Sequence, residues 1–93
     1  GVTKPDKGDI EKITLHVYGR TGHYILTKPL HGSQKDKWLD KETLELRLEL
    51  IINYEFERLI LSYGESVKVI APNKFINQIK DRINKSNEMY NPH

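Results

Sequence analysis

The histidines and serines of this chain are the residue types best suited to metal binding or nucleophilic catalysis. The four histidines, His16, His23, His31 and His93, lack the HExxH spacing that places two imidazoles on one helix face around zinc. None of the four serines stands in the G-x-S-x-G sequence that exposes a nucleophile on a sharp turn. We therefore expect no metal site, no cofactor and no serine-dependent catalysis.

Other sequence signals for catalysis are equally weak. Gly19–Gly22 (GRTG) follows a predicted strand but lacks the further glycine and the lysine of phosphate-binding loops. Asp36 and Asp40 lie in a lysine-rich segment typical of a solvated turn. The chain has no cysteine, which excludes thiolate chemistry and disulfides. The expectation is a protein that is not an enzyme.

Polar residues between positions 18 and 34 are the candidates for ligand binding. Arginine and histidine pair with phosphate or carboxylate, and tyrosine stacks on flat rings. Trp38 and Tyr24 are candidates for an interface, because tryptophan and tyrosine are enriched there. The competing interpretation is that Tyr18 and Tyr24 pack partly into the core, His31 caps a turn, and Trp38 is half-buried at a sheet edge. The candidate ligand contacts are Tyr18, Arg20, His23, His31, Ser33 and Gln34.

The first half of the chain predicts strands around a short helix. Apolar residues alternate with polar ones around Leu15, as in a half-buried strand. A short helix is expected over roughly Thr21–Thr27, ended by Pro29. Residues 30–40 resemble a polar edge strand, followed by a tight hairpin turn at Asp40-Lys41. Residues 43–50 (TLELRLEL) alternate without interruption, so their four leucines share one face.

The second half predicts helix, strand and helix. Asn53 is placed to cap a helix whose apolar stripe is Phe56, Leu59, Ile60 and Tyr63. Tyr63 then has a packing role, and Gly64 supplies the left-handed residue at the helix end. A strand around Val67 and Val69 follows. Pro72 ends this strand and opens a last helix, which runs to about Glu88 and carries the stripe Phe75, Ile76, Ile79 and Ile83.

The resulting order predicts an α+β, ferredoxin-like β-α-β-β-α-β sandwich with an additional C-terminal helix. The first and third strands would be central, and the helices would cover one face. Glu45 and Glu49 on the open face would repel phosphate, which argues against a standard RNA recognition motif despite His16 and Tyr18. The net charge of only +2 also argues against a protein that coats nucleic acid.

Composition and chain ends indicate a single domain taken from a longer protein. The 93 residues contain no apolar run near the ~18 that cross a membrane, and the polar start is no signal peptide. A cytoplasmic location is expected. The chain begins with Gly1 and its only methionine is Met89. We interpret residues 1–10 as a tag scar and flexible lead-in, 11–90 as the domain, and 91–93 as a frayed tail.

The order of several short motifs resembles the C-terminal part of bacterial transcriptional regulators that contain a WYL domain. These motifs are residues 30–34 (LHGSQ), the strand 43–50, residues 61–64 (LSYG), 67–69 (VKV), Ala71-Pro72 and Tyr90 near the end of the last helix. The part resembled is the C-terminal extension module, WCX, over roughly residues 11–90. The usual layout places a winged helix-turn-helix and then a WYL domain before it.

The resemblance implies a non-catalytic regulatory module that contributes to dimer assembly and/or effector sensing. It implies a homodimer formed by the full-length protein and a nucleotide or oligonucleotide effector. It also implies no binding of operator DNA by this part alone and no membrane partner. His31, Ser33 and Gln34 match positions suited to ligand contact. The alternative is a stand-alone module that binds a nucleotide or short single-stranded nucleic acid.

Overall fold

The computed structural model describes residues 8–91, which form one antiparallel sheet with helices on one face. The strands are β1 (Glu11–Tyr18), β2 (Lys35–Trp38), β3 (Thr43–Leu50) and β4 (Val67–Ala71). The helices are α1 (Arg20–Thr27), α2 (Tyr54–Ser62) and α3 (Asn73–Met89), with one 3-10 turn at Gly64–Ser66. The strand order is β2-β3-β1-β4. This confirms the α+β fold of roughly ferredoxin-like order, with central first and third strands and a C-terminal helix.

The core lies between the sheet and the helices. Strict alternation puts Ile13, Leu15 and Val17 of β1 on the helix-covered face, together with the four leucines of β3. α1 contributes Ile25, and Phe56 of α2 stacks on Phe75 of α3 with ring centroids 5.5 Å apart. The period-two pattern therefore identified the buried face of both central strands correctly.

Several local predictions are confirmed around α2. The side chain of Asn53 accepts a 2.8 Å hydrogen bond from the Phe56 N–H, which caps the helix. Gly64 has a φ of 58°, a left-handed conformation that costs glycine little. Tyr63 packs partly buried against the core. Burial, and to a lesser extent neighbouring Tyr24, raises the pKa of the Tyr63 phenol.

Other boundaries differ from the prediction. The edge strand occupies only Lys35–Trp38, because residues 30–34 form a compact turn. The hairpin loop spans 39–42 rather than two residues, since the Asp40 carboxylate accepts a bond from the Glu42 N–H. That bond, with a smaller contribution from Thr43, lowers the pKa of Asp40. Pro72 precedes the last helix, which begins at Asn73.

The apolar stripe of α3 is buried for only part of its length. Phe75 is fully buried and Ile79 nearly so, but Ile83 is 52% exposed. The predicted stripe is therefore packed against the core only in its first part. The helix extends beyond the surface that the sheet and α2 offer it, and residues 80–90 are all exposed.

An ion pair joins α2 and α3. The alternation of apolar and polar residues in the sequence does not predict it. Glu57 of α2 is only 8% exposed, and its carboxylate accepts a 2.6 Å hydrogen bond from Arg82 Nε on α3. Arg82 also lies over the ring of Tyr54, 5.4 Å from its centroid. Glu57 therefore holds α3 in place in addition to favouring the first turn of α2.

We expect Arg82→Met to lower the free energy of unfolding by about 1–3 kcal/mol, because it leaves the carboxylate of Glu57 buried without its partner. Urea unfolding followed by circular dichroism measures the loss. Lys85→Met is the matched control: Lys85 pairs with Asp81 at 3.1 Å, both side chains are exposed, and the change should cost under about 0.5 kcal/mol. Equal losses in the two variants would contradict a structural role for the Glu57–Arg82 pair.

Candidate functional site

Residues 30–34 form a turn held by three of the predicted ligand contacts. Ser33 N donates to His31 Nδ1 at 3.1 Å, and Ser33 Oγ lies 2.8 Å from the same nitrogen. The Oγ also accepts a 2.8 Å bond from Glu49 N. Gln34 Oε1 accepts from Leu30 N at 2.9 Å, and its buried Nε2 has no partner within residues 8–91. The turn is thereby fixed to the end of β3.

This arrangement resembles a serine–histidine pair, but its hydrogen bonds hold the turn at residues 30–34 in place. Because His31 Nδ1 accepts from a backbone N–H, the neutral ring carries its proton on Nε2. The hydroxyl of Ser33 then donates to Nδ1 while it accepts from the backbone of Glu49. These hydrogen bonds lie within the turn and between the turn and β3. The interpretation that His31 caps a turn describes this contact.

The other predicted contacts lie at the opposite end of the sheet. Tyr18 pairs with Thr43 at one end of the β1–β3 ladder, whereas Glu49 pairs with Lys12 near the other. Tyr18 lies six positions after Lys12 in β1, which is about 20 Å along the strand. Arg20 and His23 are exposed on α1, which begins two residues after Tyr18. The structure therefore divides the predicted ligand contacts into two groups.

Trp38 and Tyr24 differ in their surroundings. Trp38 is 37% exposed, and its ring lies 4.8 Å from that of His23, centroid to centroid. It also covers Gly22 of α1, where an added Cβ would lie 3.2 Å from Trp38 Cη2. Tyr24 is 54% exposed. Trp38 therefore holds the edge strand against α1 and still presents part of its ring to solvent.

The open face of the sheet carries charged rows that run across the strands. In one row, Lys37 faces Glu45, which lies 3.4 Å from His16, and Lys68 follows on β4. In the next row, Lys35 stands directly opposite Arg47. Cations therefore outnumber carboxylates on this face, although the two glutamates alone had predicted repulsion of phosphate.

An apolar groove lies between β4 and α3. Its volume is about 630 Å³, and its walls include Val67 and Val69 of β4. Ile76, Ile79 and Ile83 form the helix side. Glu65, Lys68 and Lys80 line the groove as well. This groove explains the exposed end of the α3 stripe: its side chains line a surface that no other part of residues 8–91 covers.

Within residues 8–91, no three His, Asp or Glu side chains converge as metal ligands would. No helix in the same range has both the length and the apolar character to span a membrane. The model of the WCX domain family matches residues 9–86. The chain belongs to the WCX domain family. No curated protein matches this WCX domain.

The groove and the Lys35–Arg47 pair were both missed by sequence reasoning. The pair could have been found by counting back from the hairpin turn, since alternation puts every second residue of both strands on the open face. The observed loop, residues 39–42, is longer than the predicted two-residue turn, so counting from the predicted turn gives a different register. The sequence gives no such signal for the groove. The apolar stripe of α3 has the same pattern whether the end of the helix is covered by other residues or exposed.

Proposed function

We propose that this WCX domain is the non-catalytic C-terminal regulatory module of a cytoplasmic transcription factor of the WYL class, and contributes to dimer assembly and/or effector sensing. The family match over most of the chain is the observation that supports it most. The polar groups that could suggest catalysis, His31 and Ser33, are engaged in holding a turn. Operator DNA would be bound by other parts of the regulator.

The apolar groove between β4 and α3 is the surface we assign to assembly with a second copy. β4 is an edge strand, and an edge leaves backbone N–H and C=O groups available to another chain. The opposite edge, β2, carries two lysines in four residues, Lys35 and Lys37, and lysines on an edge strand discourage pairing. The groove carries Glu65 as well as Lys80. Both signs on one patch suit an isologous contact, in which the patch meets itself.

We expect Ile83→Glu in the full-length regulator to raise the dimer dissociation constant at least about tenfold, because a carboxylate would be buried without a partner in the contact. Size-exclusion chromatography with light scattering over a concentration series measures the change. The same series on the 93-residue chain shows whether the module dimerises alone.

Gln78→Glu is the control for that experiment. It introduces the same charge at another exposed position of α3, about 140° around the helix from Ile83 and about 160° from Lys80. It should leave the dissociation constant within about twofold. A monomeric full-length regulator, or equal effects of the two substitutions, would reject the assigned interface.

A second candidate is a stand-alone module for a nucleotide or short single-stranded nucleic acid. The observation that favours it is the placement of His16 and Tyr18 on the open face beside Lys37 and Lys68. Aromatic rings there would stack on bases and the lysines would contact phosphates. Titration of the intact protein with nucleotides and short oligonucleotides tests it, and affinity should fall as salt rises. The absence of binding at millimolar ligand would reject it.

A further inference from the structure

Two cations face each other across the β2–β3 hairpin. Lys35 and Arg47 are partners in the strand register, and both are exposed on the open face. Like charges directly opposite one another destabilise an antiparallel pair. Arg47 Nε lies 3.3 Å from Glu45 Oε1, but no carboxylate within residues 8–91 forms an ion pair with Lys35. The hairpin therefore tolerates a repulsion that a bound anion would remove.

The surroundings of this pair form a small basic concavity. A cavity of about 310 Å³ is lined by Lys35, Arg47, Lys12 and Thr14, together with Ser33 and Glu49. Lys12 stands opposite Glu49 in the register, so these two charges offset each other. The charged side chains that line the cavity therefore sum to +2, with Lys35 unpaired among the described residues and Arg47 also in contact with Glu45 outside the cavity. Thr14 is the register partner of Arg47 on β1 and adds a hydroxyl to the same side.

We propose that this concavity binds the dianionic phosphate of a phosphomonoester between Lys35 and Arg47. A guanidinium matches two phosphate oxygens with parallel hydrogen bonds, and an ammonium group adds a compact charge from the other side. The hydroxyl of Thr14 donates to a third oxygen. The net charge of +2 on the lining side chains matches a dianion better than a carboxylate. The site does not depend on the domain's place in a regulator.

The neighbouring row shows that the excess charge is local. Lys37 occupies the same strand as Lys35 and the same face, but its register partner is Glu45. Glu45 also lies 3.4 Å from His16. Glu45 therefore offsets the charge of Lys37, whereas Lys35 faces a second cation. Lys37 is therefore a matched control for Lys35.

An NMR titration with inorganic phosphate at constant ionic strength tests the proposal. The amides of Thr14, Lys35 and Arg47 should shift together, with a dissociation constant on the order of 1 mM. Lys35→Gln and Arg47→Gln should each weaken binding roughly fivefold, and Lys37→Gln less than about twofold. The dispersed spectrum of each variant shows that it has folded.

Thermal unfolding provides a second readout. Phosphate should raise the melting temperature of the wild-type domain and of Lys37→Gln, but hardly that of Lys35→Gln. Without phosphate, Lys35→Gln should be at least as stable as the wild type, because the cross-strand repulsion is gone. No shifts at about 10 mM phosphate, or equal weakening by Lys35→Gln and Lys37→Gln, would overturn the site.

The source of the phosphate is distinguished by three further probes. Adenosine monophosphate and glycerol 3-phosphate should both bind, whereas adenosine should not. Tighter binding of the nucleotide would identify a base contact beside the site, and equal binding would identify the phosphomonoester alone. Binding of adenosine as tight as that of its monophosphate would overturn the proposal, because recognition would then not involve the phosphate.

Discussion

Phe75→Ala should remove about 3–5 kcal/mol from the free energy of unfolding, because it empties the centre of the interhelical core. Phe75 is fully buried at the start of α3, and its ring stacks on Phe56 of α2. A domain of this size is stabilised by roughly 5–15 kcal/mol in total. The substitution should therefore populate unfolded molecules under mild denaturing conditions, as urea unfolding followed by circular dichroism would show.

The control for Phe75→Ala is Ile83→Ala on the same helix. Ile83 is 52% exposed in the isolated chain, so its truncation should cost less than about 1 kcal/mol. Phe75→Leu should fall between the two, since it keeps most of the volume and loses the aromatic contact. Similar losses for Phe75→Ala and Ile83→Ala would contradict the packing of α3, because that packing buries only the first part of its apolar stripe.

The strands and their buried faces could be predicted because alternation is a local property. In β3, each leucine is preceded by a polar residue, and a one-residue slip would expose the whole set. The ends of α2 could likewise be predicted from local residues, Asn53 at its start and Gly64 after its end. The order of these elements then restricts the topology, since a strand–helix–strand unit on each side of a hairpin has few ways to close a sheet.

The candidate sites were less predictable because they depend on contacts between distant segments. Ser33 and Glu49 meet only once β2 is paired with β3. The six polar residues between positions 18 and 34 looked like one cluster because they are near one another in sequence. β1 and the turn at 30–34 place them at two ends of the sheet. Nearness along a chain does not predict nearness in space when a strand lies between the residues.

The charge balance of the open face shows the same limit. Glu45 and Glu49 are visible as negative charges in the sequence, but their neighbours are set by register. Glu45 is shared between His16 and Arg47, and Glu49 faces Lys12. The cations of β2 then add to the same surface. The sequence of β3 taken alone predicts repulsion of phosphate. The charged rows of the assembled sheet favour an anion at one position, between Lys35 and Arg47.

Gly22→Val should lower the free energy of unfolding by about 2 kcal/mol or more, because α1 approaches the sheet too closely for a side chain. An added Cβ would lie 3.2 Å from Trp38 Cη2 and 3.4 Å from Leu44 Cβ. The two methyl groups of valine would have to displace one of these neighbours. Leu44 is fully buried, so the indole at the edge strand must move. Trp38 is the only tryptophan, so its fluorescence reports the displacement directly, alongside urea unfolding.

A double variant separates this clash from a general weakening of α1. If the indole is the obstacle, Trp38→Ala should cost less in the Gly22→Val background than in the wild type, with a coupling of at least about 0.5 kcal/mol. Gly32→Ala is the control, since nothing lies within 4 Å of a Cβ added there, and it should be neutral within about 0.5 kcal/mol. Additive losses from Gly22→Val and Trp38→Ala would refute the contact. Trp38 would then remain a candidate interface residue. Coupled losses would show instead that the buried side of its ring holds the edge strand against α1.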